Sequence, residues 1–279
     1  PYRLRSFPRP MSAADVHARG RRRRGGRFPA LRRRPAHPQD GANGRGIAAG
    51  PVYAALDLGT NNCRLLLATP NAHSDKIPGG FRVVQSFSRI VRLGEGLETS
   101  GVLSEAACDR AIEALQVCAH MVRVRKALAV RAVATEACRR AGNGGDFLRR
   151  VADETGLDLL PITAAEEARL TLLGCGALLD CAYPRALVFD IGGGSTELMW
   201  VAVSRTSPPR LLGVESLPLG VVTLAETEGG GALGPAEYDA LVARIGRRLG
   251  HFDAAHGVAA RAKRGEVFVL GTSGTMTTL

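Results

Sequence analysis

The stretch that most constrains this chain is Leu187–Glu197, LVFDIGGGSTE, because an earlier stretch, Tyr53–Asn62, YAALDLGTNN, follows nearly the same plan. Each runs an apolar segment into an aspartate and then into glycine and small polar residues. An apolar run closed by such a cluster reads as a buried strand and a tight turn. A second apolar run follows each turn, Cys63–Thr69 in the first copy and Glu197–Val203 in the second, so both copies predict strand–turn–strand units. An internal echo of this kind predicts two like-folded halves facing each other.

Between and after these units, strand and helix patterns alternate. Phe81–Leu93 reads as one or two strands and Gly94–Gly101 as a loop. Ser104 caps a helix over Glu105–Lys126. Leu128–Ala134 and Leu157–Ile162 read as strands flanking a helix over Asp146–Thr155 that stops at Gly156. Thr163 opens a helix to about Leu173, Leu211–Leu219 is a strand, and Pro235 starts a helix to about Phe252. Glu266–Leu270 is a strand leading into Gly271–Thr275, GTSGT, soon after which the sequence stops at Leu279. The fold class is therefore α/β with partly antiparallel sheets, not a purely parallel wind. The second half is expected to be incomplete at its carboxy-terminal end.

The glycine turns suit a phosphate, which needs several converging donors and a backbone free of Cβ clashes. Gly192, Gly193 and Gly194 supply the approach, and Ser195 and Thr196 add hydroxyls. Gly59, Thr60 and Asn61 repeat the logic with fewer glycines, and Gly271, Ser273, Gly274 and Thr275 form a third loop of the same kind. Asp57 and Asp190 cannot meet a phosphate directly, since both are anions, so a divalent cation or water is expected between them. Walker A and G-x-G-x-x-G are both unmatched. In Thr163–Leu170, TAAEEARL, Thr163 and Glu166 fit a capping box. That leaves Glu167 about 100° round the helix, either as a favourable first-turn acid or as a group that orders an attacking water.

The charge is unevenly placed. Residues 1–50 hold 13 Arg and no Lys against Asp15 and Asp40, a net of +11, while the other 229 residues hold 24 Lys and Arg against 24 Asp and Glu. The Arg-rich segment lacks apolar periodicity and is expected to be disordered. It reads as a leader or translated upstream sequence, with Met11 a candidate natural start, in preference to an electrostatic arm for nucleic acid. The folded part, being neutral, is not expected to bind nucleic acid. The six cysteines form no C-x-x-C pair and no metal-ligand spacing with histidine, which predicts small apolar core residues in a reduced, cytoplasmic protein. No run of eighteen apolar residues predicts a membrane span.

Taken together, ALDLGTNNCRLLLA, VATEACRRAGNGGDFLRRV, ITAAEEARL, LVFDIGGGSTELMWV, SLPLGVVTLAE and LGTSGT resemble the exopolyphosphatase and guanosine pentaphosphate phosphohydrolase (Ppx/GppA) family, most closely its short alphaproteobacterial type. That family belongs to the sugar kinase, actin and heat-shock chaperone superfamily. The resemblance runs from Val52 to Leu279. It implies two ribonuclease H-like domains of mixed sheets flanked by helices, with an interdomain cleft: residues 51–175 as the first domain and 176–279 as the second, truncated one. The carboxy-terminal helical domains of longer members, and the final helix that crosses back to the first domain, are expected to be missing.

The resemblance also implies roles. Glu167 matches the catalytic base, Arg139 a phosphate-binding arginine, and Asp57, Asp190 and Glu197 the acids of a Mg²⁺ site. The implied reaction is attack by water on the terminal phosphoryl group of polyphosphate or pppGpp, with Arg64, Arg89, Arg92, Arg139 and Arg140 as candidates for a basic groove. A homodimer is compatible with the family, and a membrane partner is not expected. A sugar or acetate kinase-like phosphotransferase and a non-catalytic nucleotide or alarmone sensor are the competing readings.

Overall fold

The computed structural model describes residues 50–70 and 80–276. The disorder expected of residues 1–50 falls, apart from Gly50, outside the described residues. Two strands, β1 (Tyr53–Leu58) and β2 (Asn62–Pro70), form the first predicted hairpin, and β3 (Phe81–Ile90) continues it as one strand. After α1 (Leu97–Ser100) and α2 (Glu105–Val124), strand β4 (Ala129–Ala134) pairs in parallel with β1. Then come α3 (Glu136–Arg140), α4 (Gly144–Thr155) and β5 (Leu159–Pro161), which completes a five-stranded sheet of order β3-β2-β1-β4-β5.

Helix α5 (Ala164–Cys175) leads to β6 (Arg185–Ile191), β7 (Thr196–Ala202) and β8 (Arg210–Leu217). Helices α6 (Val221–Thr227), α7 (Pro235–His256) and α8 (Val258–Lys263) precede β9 (Val267–Thr272) and α9 (Ser273–Met276). The second sheet has order β8-β7-β6-β9, again two antiparallel pairs and one parallel pair beside the founding strand. This is the predicted duplication: β1-β2-β3 with parallel β4 is matched by β6-β7-β8 with parallel β9.

Alternation sets the faces. Ala54, Leu56 and Leu58 of β1 and Cys63, Leu65 and Leu67 of β2 point to one side, where they meet the apolar face of α2 (Ala111, Ile112, Leu115, Cys118) in one core. In the second sheet Ala186, Val188, Met199 and Val201 pack against Ala168, Leu172 and Cys175 of α5. The opposite face, with Leu198 and Trp200, packs on Phe252 of α7. Five of the six cysteines are buried, and all six are free thiols.

Several short helices escape the sequence pattern. Gly94–Gly101 holds α1, framed by Gly96 and Gly101 at φ 76° and 70°, a left-handed backbone that glycine adopts without cost. Others are α3, α6 and α8. Among the described residues no helix is long and apolar enough to cross a membrane.

Candidate active site

Both glycine turns are built the same way. In the first, the Gly59 amide donates to the Asn62 carbonyl at 2.8 Å; in the second, the Gly192 amide donates to the Ser195 carbonyl at 2.9 Å. Other loop carbonyls are then bound from behind. Val91 and Arg92 amides donate to Asn61 O, and Gly94 N donates to Thr60 O. Behind the second loop the first amides of α6 do this work, Val221 on Gly192 O (3.0 Å) and Val222 on Gly193 O (2.8 Å). With carbonyls held outward, the amide dipoles of each turn face the other way, which is what an anion cradle requires.

The two loops meet. A Cβ on Gly193 would stand 2.9 Å from Asn61 Cβ, and one on Gly194 would stand 2.7 Å from Thr60 Oγ1 and 3.0 Å from Glu136 Cγ. Behind them, a Cβ on Gly220 would overlap the backbone of Gly193 and Gly194, where no flexible side chain can give way. Gly220→Ala is therefore expected to destabilise by about 1–3 kcal/mol, lowering the thermal midpoint by several degrees and displacing the second loop. Gly145→Ala, which meets nothing within 4 Å, is the control expected to leave the melt unchanged or slightly raised.

Between the loops lies a cavity of about 820 Å³. Its lining brings together Asp57, Gly59, Thr60 and Asn61 from the first turn and Asp190, Gly192, Gly193, Gly194 and Ser195 from the second. Ser273, Gly274 and Thr275 from the third loop and Glu167 from α5 join them. Asp57 sits opposite Arg64 on β2, which sits opposite Ser88 on β3; in the second sheet Asp190 sits opposite Glu197, which sits opposite Ser216. The duplication thus places two matching three-residue rows, Asp-Arg-Ser and Asp-Glu-Ser.

Several predicted site residues make contacts other than those expected of them. Glu197 does not line the cavity: it is 3% exposed, and its Oε1 accepts the hydroxyls of Ser195 (2.7 Å) and Ser216 (2.8 Å). Ser195, which lines the cavity, thus donates its hydroxyl hydrogen to Glu197. Thr196 and Gly271 are also outside the lining; the Thr196 hydroxyl donates to Leu219 O at 2.8 Å. The hydroxyls of Ser273 and Thr275 both donate to Ile191 O, at 2.7 and 2.9 Å, tying the third loop to β6. Ser273 is held there at φ 78°, a strained conformation for a residue with a Cβ.

Arg139 is engaged by protein groups. Its Nη1 donates to Ile162 O (2.5 Å) and Glu167 Oε2 (3.1 Å), and its Nη2 to Glu136 Oε2 (2.7 Å). Nor do the five candidate arginines gather around the cavity. Arg140 pairs with Glu98 at 2.8 Å, Arg89 lies 5.4 Å over the Phe87 ring, and of the five candidates Arg64 alone lines the cavity. The capping box is half made: Thr163 Oγ1 accepts from the Glu166 amide at 3.2 Å, but the Glu166 carboxylate binds Arg131 and Arg169 instead of reaching back.

Lining residues that sequence reasoning did not place in the site include Thr135, Glu136, Ser88 and Thr171. Thr135 and Glu136 lie within the TEACRR motif, which marks their neighbourhood and not their place in the lining. Ser88 and Thr171 carried no signal beyond ordinary strand and helix positions.

The electrostatics are those of crowded carboxylates. Asp57, Glu136, Glu167 and Asp190 line the cavity against Arg64. Burial, outweighing the nearby Arg64, lifts Asp57 from 3.8 to about 6, with Asp190 adding to the rise. Burial and the neighbouring Glu197 lift Glu167 from 4.5 to about 7, against the opposing pull of Arg139. Asp57 Oδ1 and Asp190 Oδ1 are both buried without a hydrogen-bond partner. Two orphaned carboxylate oxygens beside one cavity fit a hard divalent cation, and Mg²⁺ in particular is held by one or two carboxylates with phosphate oxygens and water completing its shell. Among the described residues no three acids, cysteines or histidines cluster as a closed metal cage.

The comparisons agree with this geometry. Residues 73–279 match the model of the Ppx/GppA phosphatase family. The Aquifex aeolicus Ppx/GppA family member is 33% identical, with 63% of this chain and 54% of that chain covered and a TM-score of 0.52. This chain therefore spans about half the length of that relative. An exopolyphosphatase-like protein is 28% identical over 82% of this chain and 67% of its own, with a TM-score of 0.68. An exopolyphosphatase from Cytophaga hutchinsonii shares the fold at 22% identity, covering 81% and 68% of the two chains with a TM-score of 0.66. A matched family model over most of the chain, two duplicated mixed sheets and facing glycine-rich loops lead to one assignment: the chain belongs to the Ppx/GppA phosphatase family.

Proposed function

We propose that this protein is a phosphoanhydride hydrolase that releases the terminal phosphate of polyphosphate or pppGpp by attack of water. The observation that carries this reading is the position of Glu167, whose carboxylate opens on the same cavity as both loop aspartates. Its proton affinity, lifted to about 7 by burial and Glu197, suits a base at neutral pH. In the step itself water oxygen bonds to the terminal phosphorus, the bridging P–O bond breaks, and the water proton passes to Glu167 Oε. The shortened chain leaves with the bridging oxygen. Amides of the facing turns hold the phosphoryl oxygens in line.

Asp57 and Asp190 would hold Mg²⁺. When bound, it supplies the positive charge that the lining lacks, since four carboxylates face one arginine there. That same shortage of cations favours a substrate presenting two or three phosphates over a long polymer. Arg139, engaged by Glu136 and Glu167, orients the base in this reading, and the protein acts in the cytoplasm.

The test is phosphate release with Mg²⁺ from pppGpp, tripolyphosphate and long-chain polyphosphate, measured side by side. Release from the two short substrates at several times the rate of the polymer is expected. Absence of release from all three overturns the hydrolase reading. ATP-dependent phosphorylation of a sugar would favour a kinase-like phosphotransferase, and saturable pppGpp binding without turnover a sensor.

A further inference from the structure

Glu136 has no part in the bond-making and bond-breaking of the reaction above, yet it stands at a junction beside the base. Its Oε2 accepts from Arg139 Nη2 at 2.7 Å, while the other arm of the same guanidinium reaches Glu167 Oε2 at 3.1 Å and Ile162 O at 2.5 Å. The side chains of Glu136, Arg139 and Glu167 are 16%, 20% and 21% exposed. One planar cation is thereby pinned at three points, two of them carboxylates from different helices, α3 and α5. On its other side Glu136 abuts the second phosphate loop, where a Cβ on Gly194 would come within 3.0 Å of Glu136 Cγ.

A carboxylate keeps its proton affinity according to the cationic charge that faces it and the anions nearby. Arg139 divided between two carboxylates neutralises each less than it would one alone. A guanidinium held by three acceptors also cannot swing, so the carboxylate bound to it is aimed. The charged groups facing Glu167 are Arg139 from α3, Glu197 from β7 and Asp57 from β1, while Glu166 on its own helix is turned to Arg131 and Arg169.

We propose that Glu136 is a positioning residue for Glu167, acting through Arg139: it holds part of the guanidinium charge away from the catalytic carboxylate and fixes where that carboxylate points. This rests on Glu167 being the water-activating base of the proposed hydrolase. Because Glu136 also touches the loop at Gly194, the aim of the base is linked to the seating of that loop.

The experiment compares kcat and KM for pppGpp across pH, at fixed Mg²⁺, in wild type, Glu136→Gln, Arg139→Lys and the double variant. Glutamine keeps the length that packs on Gly194 and removes the charge. The expected result for Glu136→Gln is a kcat reduced roughly tenfold, a KM within about twofold of wild type, and an acidic limb moved down by about one pH unit. The limb moves down because Arg139 then serves Glu167 alone. In the Arg139→Lys background the same change should add little, since the two act through one contact.

An unmoved acidic limb, or effects that multiply in the double variant, overturns the proposal. Should Glu136→Gln fail to fold, Glu136→Asp keeps the charge but draws it back from Arg139, and a smaller downward move of the limb is expected; no move overturns the proposal. A wild type that releases no phosphate overturns the hydrolase reading and this one with it. A wild type that turns over, with an unmoved limb in the variants, overturns this one alone.

Discussion

Glu167→Gln is expected to lower kcat by about 10²–10⁴-fold, the range carried by a positioned general base, while the protein keeps its fold. The same substitution is expected to raise thermal stability at alkaline pH. Burial and Glu197 push the Glu167 carboxyl from 4.5 up to about 7, so its ionisation is harder in the folded state than in the unfolded chain. A group shifted upward contributes stability that is complete below about pH 4.5 and is lost as pH rises through about 7. At pH 8 the ionised wild type carries that penalty, of order 3 kcal/mol, and the neutral glutamine does not. Loss of the Arg139 contact offsets part of the gain, though Glu136 and Ile162 still bind that guanidinium. Thermal melts at pH 5 and pH 8 check this: the variant should gain on wild type as pH rises. Turnover retained in the variant, or a variant less stable than wild type at pH 8, contradicts the assignment of Glu167.

What the sequence made legible follows from which interactions are local. The duplicated strand–turn–strand units were readable because apolar alternation and the Asp-Gly turns are properties of neighbouring residues. The cavity itself followed from the duplication, since two like halves facing each other must place their turns opposite. Assigning partners to individual side chains was harder. Glu197 has the residue type of a metal ligand, yet its cross-strand neighbour Ser216 lies 19 residues away and takes its carboxylate along with Ser195. Arg139 has the chemistry of a phosphate ligand, yet Glu167, 28 residues on, occupies it. Glu166 could have closed the capping box but binds Arg169 one turn on and Arg131, 35 residues back. In each case part of what holds the side chain is a contact between distant segments that no local rule shows. Helix α6 was missed for a related reason: Val221, Val222 and Thr223 are β-branched and poor helix formers, and what sets the helix start is the donation of their amides to Gly192 and Gly193 carbonyls.

Asp57→Asn and Asp190→Asn are each expected to remove Mg²⁺-dependent turnover by at least about 10²-fold, because each deletes half of the only paired carboxylates with orphaned oxygens among the described residues. For Asp57 the cost of ionisation without metal can be signed. Burial first, and Asp190 to a lesser degree, raise it from 3.8 to about 6 despite Arg64. Its contribution to stability is therefore complete below about pH 4 and lost as pH rises through about 6. In metal-free buffer at pH 7.5 the Asp57→Asn protein should melt higher than wild type, by up to about 3 kcal/mol or roughly 5–10 °C for a chain this size. Mg²⁺ should then reverse the order. A cation that binds the folded state stabilises it by RT ln(1 + [Mg²⁺]/Kd), so the wild-type melt should climb with added Mg²⁺ and the Asp57→Asn melt should not. The crossing of the two curves measures the penalty that the empty carboxylate pair imposes and the cation removes. A wild-type melt indifferent to Mg²⁺, with Asp57→Asn less stable in chelator, would mean that the buried aspartates serve the fold and not a bound cation.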